Sequence, residues 1–161
     1  MVVLYYAATA PINPSSSASP SLSAAQVWAG LRHKVRHADQ FVSSITSCVV
    51  DSERGNVVQR RVVVDGSSVE TKETCTELAP HKVEYKLEDG TEIVNIVAAG
   101  PSGEEDECYL TYSFKWQFPD IKEGSDEEKK MLAEQQKMAQ EAVQATIKSI
   151  REMVKDGRIK A

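Results

Sequence analysis

The sequence lacks the features that several common protein classes require. No segment approaches the ~20 consecutive apolar residues that cross a membrane as a helix. The three cysteines, Cys48, Cys75 and Cys108, are far apart and form no CxxC pair, which argues against a disulfide framework or a zinc site. There is no glycine-rich phosphate loop and no nucleophile elbow. We therefore expect a reducing compartment, the cytoplasm by default, with cysteines packed as small apolar side chains.

The chain also lacks an excess of positive charge. It has 19 Lys and Arg against 24 Asp and Glu, a net charge of −5, and the basic residues are interspersed with acids. Nucleic-acid binding needs a basic face, so we expect no nucleic-acid partner. At 161 residues the chain is long enough for one domain, residues 1–161, with its own core and no need of a metal or cofactor to fold.

The sequence predicts several strands and also helices, two of which begin at recognisable N-caps. The apolar segment at 2–10 has no basic residue before it and is predicted to be a strand rather than a signal peptide. Ser23 and Gln26 form the sequence of a capping box, and Ser125 and Glu128 form a second before a helix of about 30 residues that ends at Gly157. Alternating segments predict further strands at about 45–52, 57–65, 68–78, 81–87, 91–99 and 107–118.

The segment 11–20 is rich in Pro and Ser. Its composition is that of a flexible flap at the rim of a site or of a loop without a special role, and composition alone favours the second. The acidic run at 104–107 is predicted to be a solvated loop tip, because its spacing does not fit a calcium loop.

A hairpin in the middle of the chain places an arginine opposite a glutamate. Gly66-Ser67 fits a two-residue turn, and this turn pairs Arg60 with Glu73 and Val58 with Cys75. Their shared face is the more apolar one and should point inward. The sequence is compatible both with a buried, costly ion pair beside a cavity and with a solvated pair near a sheet edge.

Two other strands determine what else lines the interior. In the strand at 107–118, one face carries Leu110, Tyr112, Phe114, Trp116 and Phe118 and is predicted to be core. Tyr112 has a hydroxyl that needs a partner when buried. The strand at 91–99 is ambiguous, because a two-residue turn before it points Val94 and Ile96 inward and a three-residue turn points Asn95 and Val97 inward.

The predicted fold is α+β, with a curved antiparallel sheet of seven strands around a long C-terminal helix. The order of elements is one strand, two helices, six strands and one helix, and this is the order of a helix-grip fold. An apolar stripe along the last helix is flanked by small or flexible residues, including Met138 and Ala142, which would leave space or a deformable wall against the sheet.

Six segments carry a resemblance to a known family: Pro11-Ile-Asn-Pro14, Gln26-Val-Trp-Ala-Gly-Leu31, Phe41-Val-Ser-Ser-Ile-Thr-Ser-Cys48, Gly55-Asn-Val-Val-Gln-Arg60, Tyr109-Leu-Thr-Tyr-Ser-Phe-Lys-Trp116 and Ile150-Arg-Glu-Met-Val154. The chain resembles the fungal AtaL-like family of the START-like (SRPBCC) superfamily, which includes birch-pollen-type allergens and polyketide cyclases. The resemblance implies a cavity between sheet and long helix that holds an apolar or amphipathic small molecule, and links to fungal secondary metabolism. It assigns no catalytic residues.

The first functional hypothesis is a binding module for a lipid, a sterol or an aromatic, polyketide-like metabolite. Its polar anchors would be Arg60, Glu73, Tyr85, Asn95 and Tyr112, and its walls would include Trp28, Met138 and Ala142. Arg60 would hold a carboxylate or phenolate while Glu73 orients its guanidinium. The protein would be a monomer, or a homodimer formed through exposed sheet edges.

Two alternatives stand beside it. In a cyclase or isomerase, Glu73 would be the general base and Arg60 or Tyr112 would stabilise an enolate, although a carboxylate held by arginine is a poor base. The other alternative is a structural protein with a filled core. His33 and His37, with Asp39 nearby, have the spacing of two metal ligands, but a solvated basic helix face with Arg32, Lys34 and Arg36 fits that segment better.

Overall fold

The computed structural model describes residues 1–15 and 19–160. It contains two α-helices, α1 (Ala24–Arg36) and α2 (Asp126–Lys155). Its seven strands are β1 (Val2–Pro11), β2 (Ile45–Arg54), β3 (Val57–Val64), β4 (Glu70–Leu78), β5 (Lys82–Leu87), β6 (Glu92–Ala99) and β7 (Cys108–Phe118). The predicted second helix is a single 3₁₀ turn, Ala38–Gln40, which packs against β2.

The strands form one antiparallel sheet in the order β1-β7-β6-β5-β4-β3-β2. Strands β2 to β7 are neighbours in sequence order, and β1 lies at one edge of the sheet, where it pairs with β7. Helix α2 packs on β1 and β7, and α1 lies over β6 and touches α2. The predicted helix-grip architecture of seven curved strands around a long C-terminal helix is confirmed.

The predicted register of the central hairpin is confirmed. Arg60 is paired with Glu73 and Val58 with Cys75. The turn itself differs from the prediction: the backbone N–H of Ser67 donates to the carbonyl of Val64, so Asp65 and Gly66 occupy its centre. Residues 67–69 then leave the ladder, which restores the predicted register but exposes the hairpin tip.

The ambiguity of β6 is resolved by its turn. The backbone N–H of Leu87 donates to the carbonyl of Thr91, so the loop between these two paired residues has three residues, 88–90. Asn95 and Val97 are therefore the inward-facing residues, and both are buried. This choice brings the Asn95 amide beside Tyr112, its neighbour on β7.

The two helices are fixed by their caps and by one close approach. Ser23 and Gln26 make the predicted reciprocal capping box of α1. At α2 the Ser125 hydroxyl accepts from the backbone of Glu128 as predicted, but the Glu128 carboxylate accepts from Gly124 rather than from Ser125. Gly30 of α1 lies against Ile150 of α2, where a Cβ would stand 2.5 Å from the isoleucine Cγ1. Glycine is therefore needed for α1 to reach α2.

The segment after β1 has a structural role that its composition does not reveal. Ile12 is fully buried. The Asn13 side-chain amide donates to the carbonyls of Leu22 and Asp106, both at 2.8 Å, and its oxygen accepts from the Leu22 N–H. The described part of this loop thus joins α1 to the β6–β7 connection. The predicted flap extends over residues 16–18, which lie outside the described part.

Candidate functional site

A cluster of polar side chains is buried where α1 crosses the inner face of the sheet. The cluster is defined by residues from α1, five strands and α2: Lys34, Arg60, Glu73, Tyr85, Asn95, Tyr112 and Thr146. Alternation along the strands places five of these side chains on the face that also carries the apolar core. Burying such groups without hydrogen-bond or ion-pair partners costs free energy. The partners of each group therefore indicate the role of the cluster.

Arg60 and Glu73 form a buried ion pair, and both residues are less than 10% exposed. The Arg60 Nε donates to the Glu73 carboxylate at 2.7 Å. A second guanidinium nitrogen, Nη1, donates to the backbone carbonyls of Lys34 and Val35 at 3.0 and 2.8 Å. Of the two arrangements left open by the sequence, the structure has the buried pair.

Arg60 is held in its charged form by these partners. Burial is the largest single effect and opposes the charge, but the Glu73 carboxylate, its hydrogen bond and smaller electrostatic contributions together raise the pKa of Arg60 above its ordinary value. The guanidinium carbon also lies 5.1 Å from the centre of the Tyr85 ring, a cation–π distance. Arg60 therefore fixes the last turn of α1 to β3 and β4 and provides a permanent positive charge inside the fold.

Lys34 is the member of the cluster that the sequence analysis places wrongly. The sequence predicts a solvated face shared with Arg32 and Arg36, yet Lys34 is only 8% exposed. Its Nζ donates to the Tyr112 hydroxyl at 2.9 Å and to the Asn95 Oδ1 at 3.5 Å. Within residues 1–15 and 19–160, it forms no ion pair, because the Glu73 carboxylate is engaged by Arg60.

The position of Lys34 on the helix contains a signal for its burial. Val27 and Leu31, seven and three residues earlier, lie on the same helical face and are fully buried. A helical projection of α1 therefore places Lys34 at the end of its apolar face, whereas Arg32 lies on the exposed side. Basic residues alternate along the sequence at 32, 34 and 36, and this pattern obscures the position of Lys34 on the apolar face.

Two polar groups in the cluster have no hydrogen-bond partner in the described part of the chain. The hydroxyl of Tyr85 and the side-chain nitrogen of Asn95 are buried and form no hydrogen bond with the described residues. Tyr112 differs, because its hydroxyl accepts from Lys34 and donates to the Thr146 hydroxyl of α2 at 2.7 Å. Buried donors without partners are rare in native folds, and each unpaired group calls for an explanation.

Burial keeps the two phenols of the cluster, and the thiol of nearby Cys75, in their neutral forms. Desolvation raises the pKa of both Tyr85 and Tyr112, so both phenols are neutral near pH 7. It also raises the pKa of the Cys75 thiol to about 12. Cys75 is thus a packed apolar side chain, as expected, and not a reactive thiolate.

Burial changes the pKa of Lys34 in the opposite direction, because it disfavours the charged amine. Desolvation, followed by repulsion from the Arg60 guanidinium, lowers the pKa of Lys34 to about 7. The attraction of Glu73 offsets only part of this. The amine is therefore divided between its charged and neutral forms near neutral pH.

The three predicted wall residues do not form one buried wall. Met138 is 40% exposed and is not a buried wall residue, since it lies about 100° around α2 from the buried stripe that begins at Ala139. Ala142 is half-buried and packs against the core. Trp28 is half-buried and lines a cleft of about 410 Å³ with Pro80, Val97 and Cys108.

A second cleft, of about 440 Å³, lies between the end of β1 and α2. It is lined by Ala10, Pro11, Ile147 and the basic side chains Lys148 and Arg151, among others. None of the predicted polar anchors lines either cleft. The polar cluster and the two clefts therefore have no lining residue in common.

The two histidines considered for metal binding lie side by side, but the described residues supply no set of three ligands with them. His33 and His37 have ring centres 4.5 Å apart, and His33 is hydrogen-bonded to Gln40. In the part of the chain that the structure describes, no group of three or more His, Cys, Asp or Glu side chains could hold a metal ion. None of the described helices is long and apolar enough to cross a membrane.

The geometry defines a helix-grip protein with a polar cluster inside it. The family described as "AtaL: Acetylaranotin biosynthesis cluster protein L" matches residues 6–157. The chain belongs to this family, which confirms the resemblance seen in the sequence. A search of curated proteins found no match.

Two solved structures with the same fold are the di-domain ARO/CYC proteins StfQ, from the steffimycin biosynthetic pathway, and BexL, from the BE-7585A biosynthetic pathway. StfQ is 12% identical, with a TM-score of 0.69 over 96% of this chain and 52% of its own. BexL is 13% identical, with a TM-score of 0.65 over 93% of this chain and 49% of its own. The chain thus spans about half the length of each, and the likeness concerns the fold.

Proposed function

We propose that this protein binds an oxygen-bearing, hydrophobic or amphipathic small molecule inside the helix-grip fold, and that residues 1–161 act as one ligand-binding domain. The ligand would be an aromatic or polyketide-like metabolite in preference to a lipid or sterol. The family description and the biosynthetic pathways of the two similar structures support this class of ligand. The anchors would be Tyr85, Asn95, Tyr112, Arg60 and Glu73, joined by Lys34.

The observation that carries the proposal is the unpaired state of Tyr85 and Asn95. Both offer buried donors, and both lie beside the Lys34 amine. A protein that only needed a stable core would gain by replacing such groups with apolar ones. Their retention fits a site that uses a ligand carbonyl or phenol oxygen as the missing acceptor.

The Arg60–Glu73 pair favours binding over proton abstraction. Two nitrogens of the Arg60 guanidinium contact the same oxygen of Glu73, so a ligand proton would have to compete with the guanidinium for this carboxylate. The alternative of a cyclase based on Glu73 would need the ligand to displace Arg60. A cyclase-like activity is therefore better sought in another group of the cluster.

The test compares ligand affinity with stability in the variant Tyr85→Phe. Without a partner the buried hydroxyl costs stability, so its removal should raise the free energy of unfolding of the free protein by about 1 kcal/mol. The same change should weaken binding of 1-anilinonaphthalene-8-sulfonate, an aromatic anion, by roughly tenfold. Fluorescence titration and urea unfolding measure the two effects.

Tyr5→Phe is the matched control, since Tyr5 is 68% exposed on the outer face of β1. It should change neither quantity. A Tyr85→Phe protein that binds the probe as tightly as the wild type would contradict the proposed role of Tyr85. Failure of the wild type to bind the probe at all would contradict an accessible interior site.

A further inference from the structure

We propose that Lys34 forms a covalent imine with the carbonyl group of a bound aldehyde or ketone. The inference deepens the proposed function and rests on it, because it names the chemical class of the ligand and a reaction within the same cluster. The chemistry of this amine, its buried position and its neighbours carry the inference in four steps.

The first step is that Lys34 is buried without a compensating charge. The nearest carboxylate in the cluster, Glu73, is engaged by Arg60, and Arg60 also donates to the backbone carbonyl of Lys34 itself. A positive guanidinium thus lies close to the lysine. Buried lysines near another cation lose their proton readily and then act as nucleophiles.

The second step is that the amine is positioned by neutral hydrogen-bonding groups. Its Nζ is 2.9 Å from the Tyr112 hydroxyl and 3.5 Å from the Asn95 oxygen. It also lies 4.5 Å from the centre of the Tyr112 ring. These contacts are available to a neutral amine and hold it in place with its lone pair free. Burial and the Arg60 charge lower the pKa of Lys34 to about 7, which agrees with this arrangement.

The third step is that donors for a carbonyl oxygen are present. The Tyr85 hydroxyl and the Asn95 side-chain nitrogen have no partner among the described residues. The Lys34 amine is 5.8 Å from the centre of the Tyr85 ring. A carbonyl that accepted from either donor would have its carbon within reach of the amine and would be polarised for attack.

The fourth step is the proton balance. The amine nitrogen attacks the carbonyl carbon, a C–N bond forms, and the oxygen receives the π electrons and a proton from nitrogen. Tyr112 then donates its proton to the departing hydroxyl, which leaves as water, and recovers a proton from nitrogen as C=N forms. One amine and one carbonyl give one imine and one water, with no oxidant. Burial raises the pKa of Tyr112, so the phenol has this proton to give.

The experiment traps the imine in the wild-type protein. The full chain is incubated with 2-naphthaldehyde and sodium cyanoborohydride between pH 5.5 and 9, and peptide mapping locates the reduced adduct. We expect labelling of Lys34 at pH 7 to be at least about tenfold faster than that of Lys137, because an ordinary lysine is almost fully protonated there. The rate at Lys34 should rise through a midpoint near pH 7.

Lys34→Met should remove this fast adduct, and Lys137→Met, a change at an exposed position of α2, should keep it. Labelling of Lys34 in the wild type no faster than that of Lys137 would overturn the inference. If 1-anilinonaphthalene-8-sulfonate still binds in that case, only the imine chemistry is wrong. If neither probe binds, the proposed function is wrong as well.

Discussion

At the scale of single residues, the interior of this protein departs from an apolar core at a few neighbouring positions. Arg60 and Glu73 form an ion pair. Among the described residues, Lys34 has only neutral hydrogen-bond partners, and the donors of Tyr85 and Asn95 have none. Residues that compensate one another can serve structure alone. Residues that lack compensation reduce stability, and a ligand is the simplest reason to keep them.

The uncompensated lysine predicts an unusual dependence of stability on pH. The pKa of Lys34 is about 7 in the folded protein and 10.5 as the ordinary value. Between these values the unfolded chain holds a proton that the folded protein has released. The free energy of unfolding should therefore rise with pH in this window, by roughly 1 kcal/mol per pH unit from Lys34 alone.

Urea unfolding of the wild type and of Lys34→Met at pH 7.5, 8.5 and 9.5 isolates this contribution. The titratable groups around the lysine are retained in the variant and cancel in the difference: Arg60, Glu73, Cys75, Tyr85 and Tyr112. The difference between the two proteins should change steadily in favour of the wild type as the pH rises. Parallel curves would show that Lys34 has an ordinary pKa.

At the scale of elements, the ion pair is the junction of α1, β3 and β4. Arg60 lies on β3, bonds to Glu73 on β4 and donates to two carbonyls in the last turn of α1. Arg60→Met should lower the free energy of unfolding by roughly 3 kcal/mol, because it leaves a buried carboxylate unpaired. It should also weaken binding of 1-anilinonaphthalene-8-sulfonate, since α1 forms one side of the cluster.

Arg61→Met is the control on the same strand. Arg61 points to the other face and pairs with Asp51 and Glu70 near solvent, so its loss should cost less than about 1 kcal/mol. The double variant Arg60→Met, Glu73→Met should recover most of the loss. Equal effects of Arg60→Met and Arg61→Met in urea unfolding would contradict the account of a buried pair.

The elements differ in how far the sequence determines them. The β3–β4 register is predictable because period-two alternation and a glycine turn both limit the pairing, even though the turn lies one residue earlier than predicted. The inward face of β6 is not predictable from alternation, because Ile93 and Val97 make one face as apolar as Val94 and Ile96 make the other. The length of the preceding turn decides it.

The site is predictable only in part for a similar reason. Strand alternation by itself places Arg60, Glu73 and Tyr112 on the inner face of the sheet. The burial of Lys34 depends on how α1 crosses the sheet, and that crossing is set by the contact of Gly30 with Ile150. The sequence of α1 places Lys34 at the end of the apolar face, but the contact that buries this face joins elements far apart in sequence and is not contained in α1 alone.

At the scale of the whole molecule, the fold holds the polar cluster between apolar regions. The aromatic side chains of β7 extend the core on one side, with Phe114 and Trp116 stacked at 4.8 Å. The two clefts lie toward the surface, one beside Trp28 and one beside Arg151. The interior around the cluster is thus apolar, and the cluster supplies the polar groups within it.

The central claim is that this interior cluster holds a small organic molecule, and native mass spectrometry tests it most directly. The protein is purified from the organism that makes it, as wild type, as Tyr85→Phe and as the control Tyr5→Phe. The account predicts that the wild type and Tyr5→Phe retain an oxygen-bearing small molecule and that Tyr85→Phe retains much less. Three proteins free of ligand, or equal retention by all three, would contradict it.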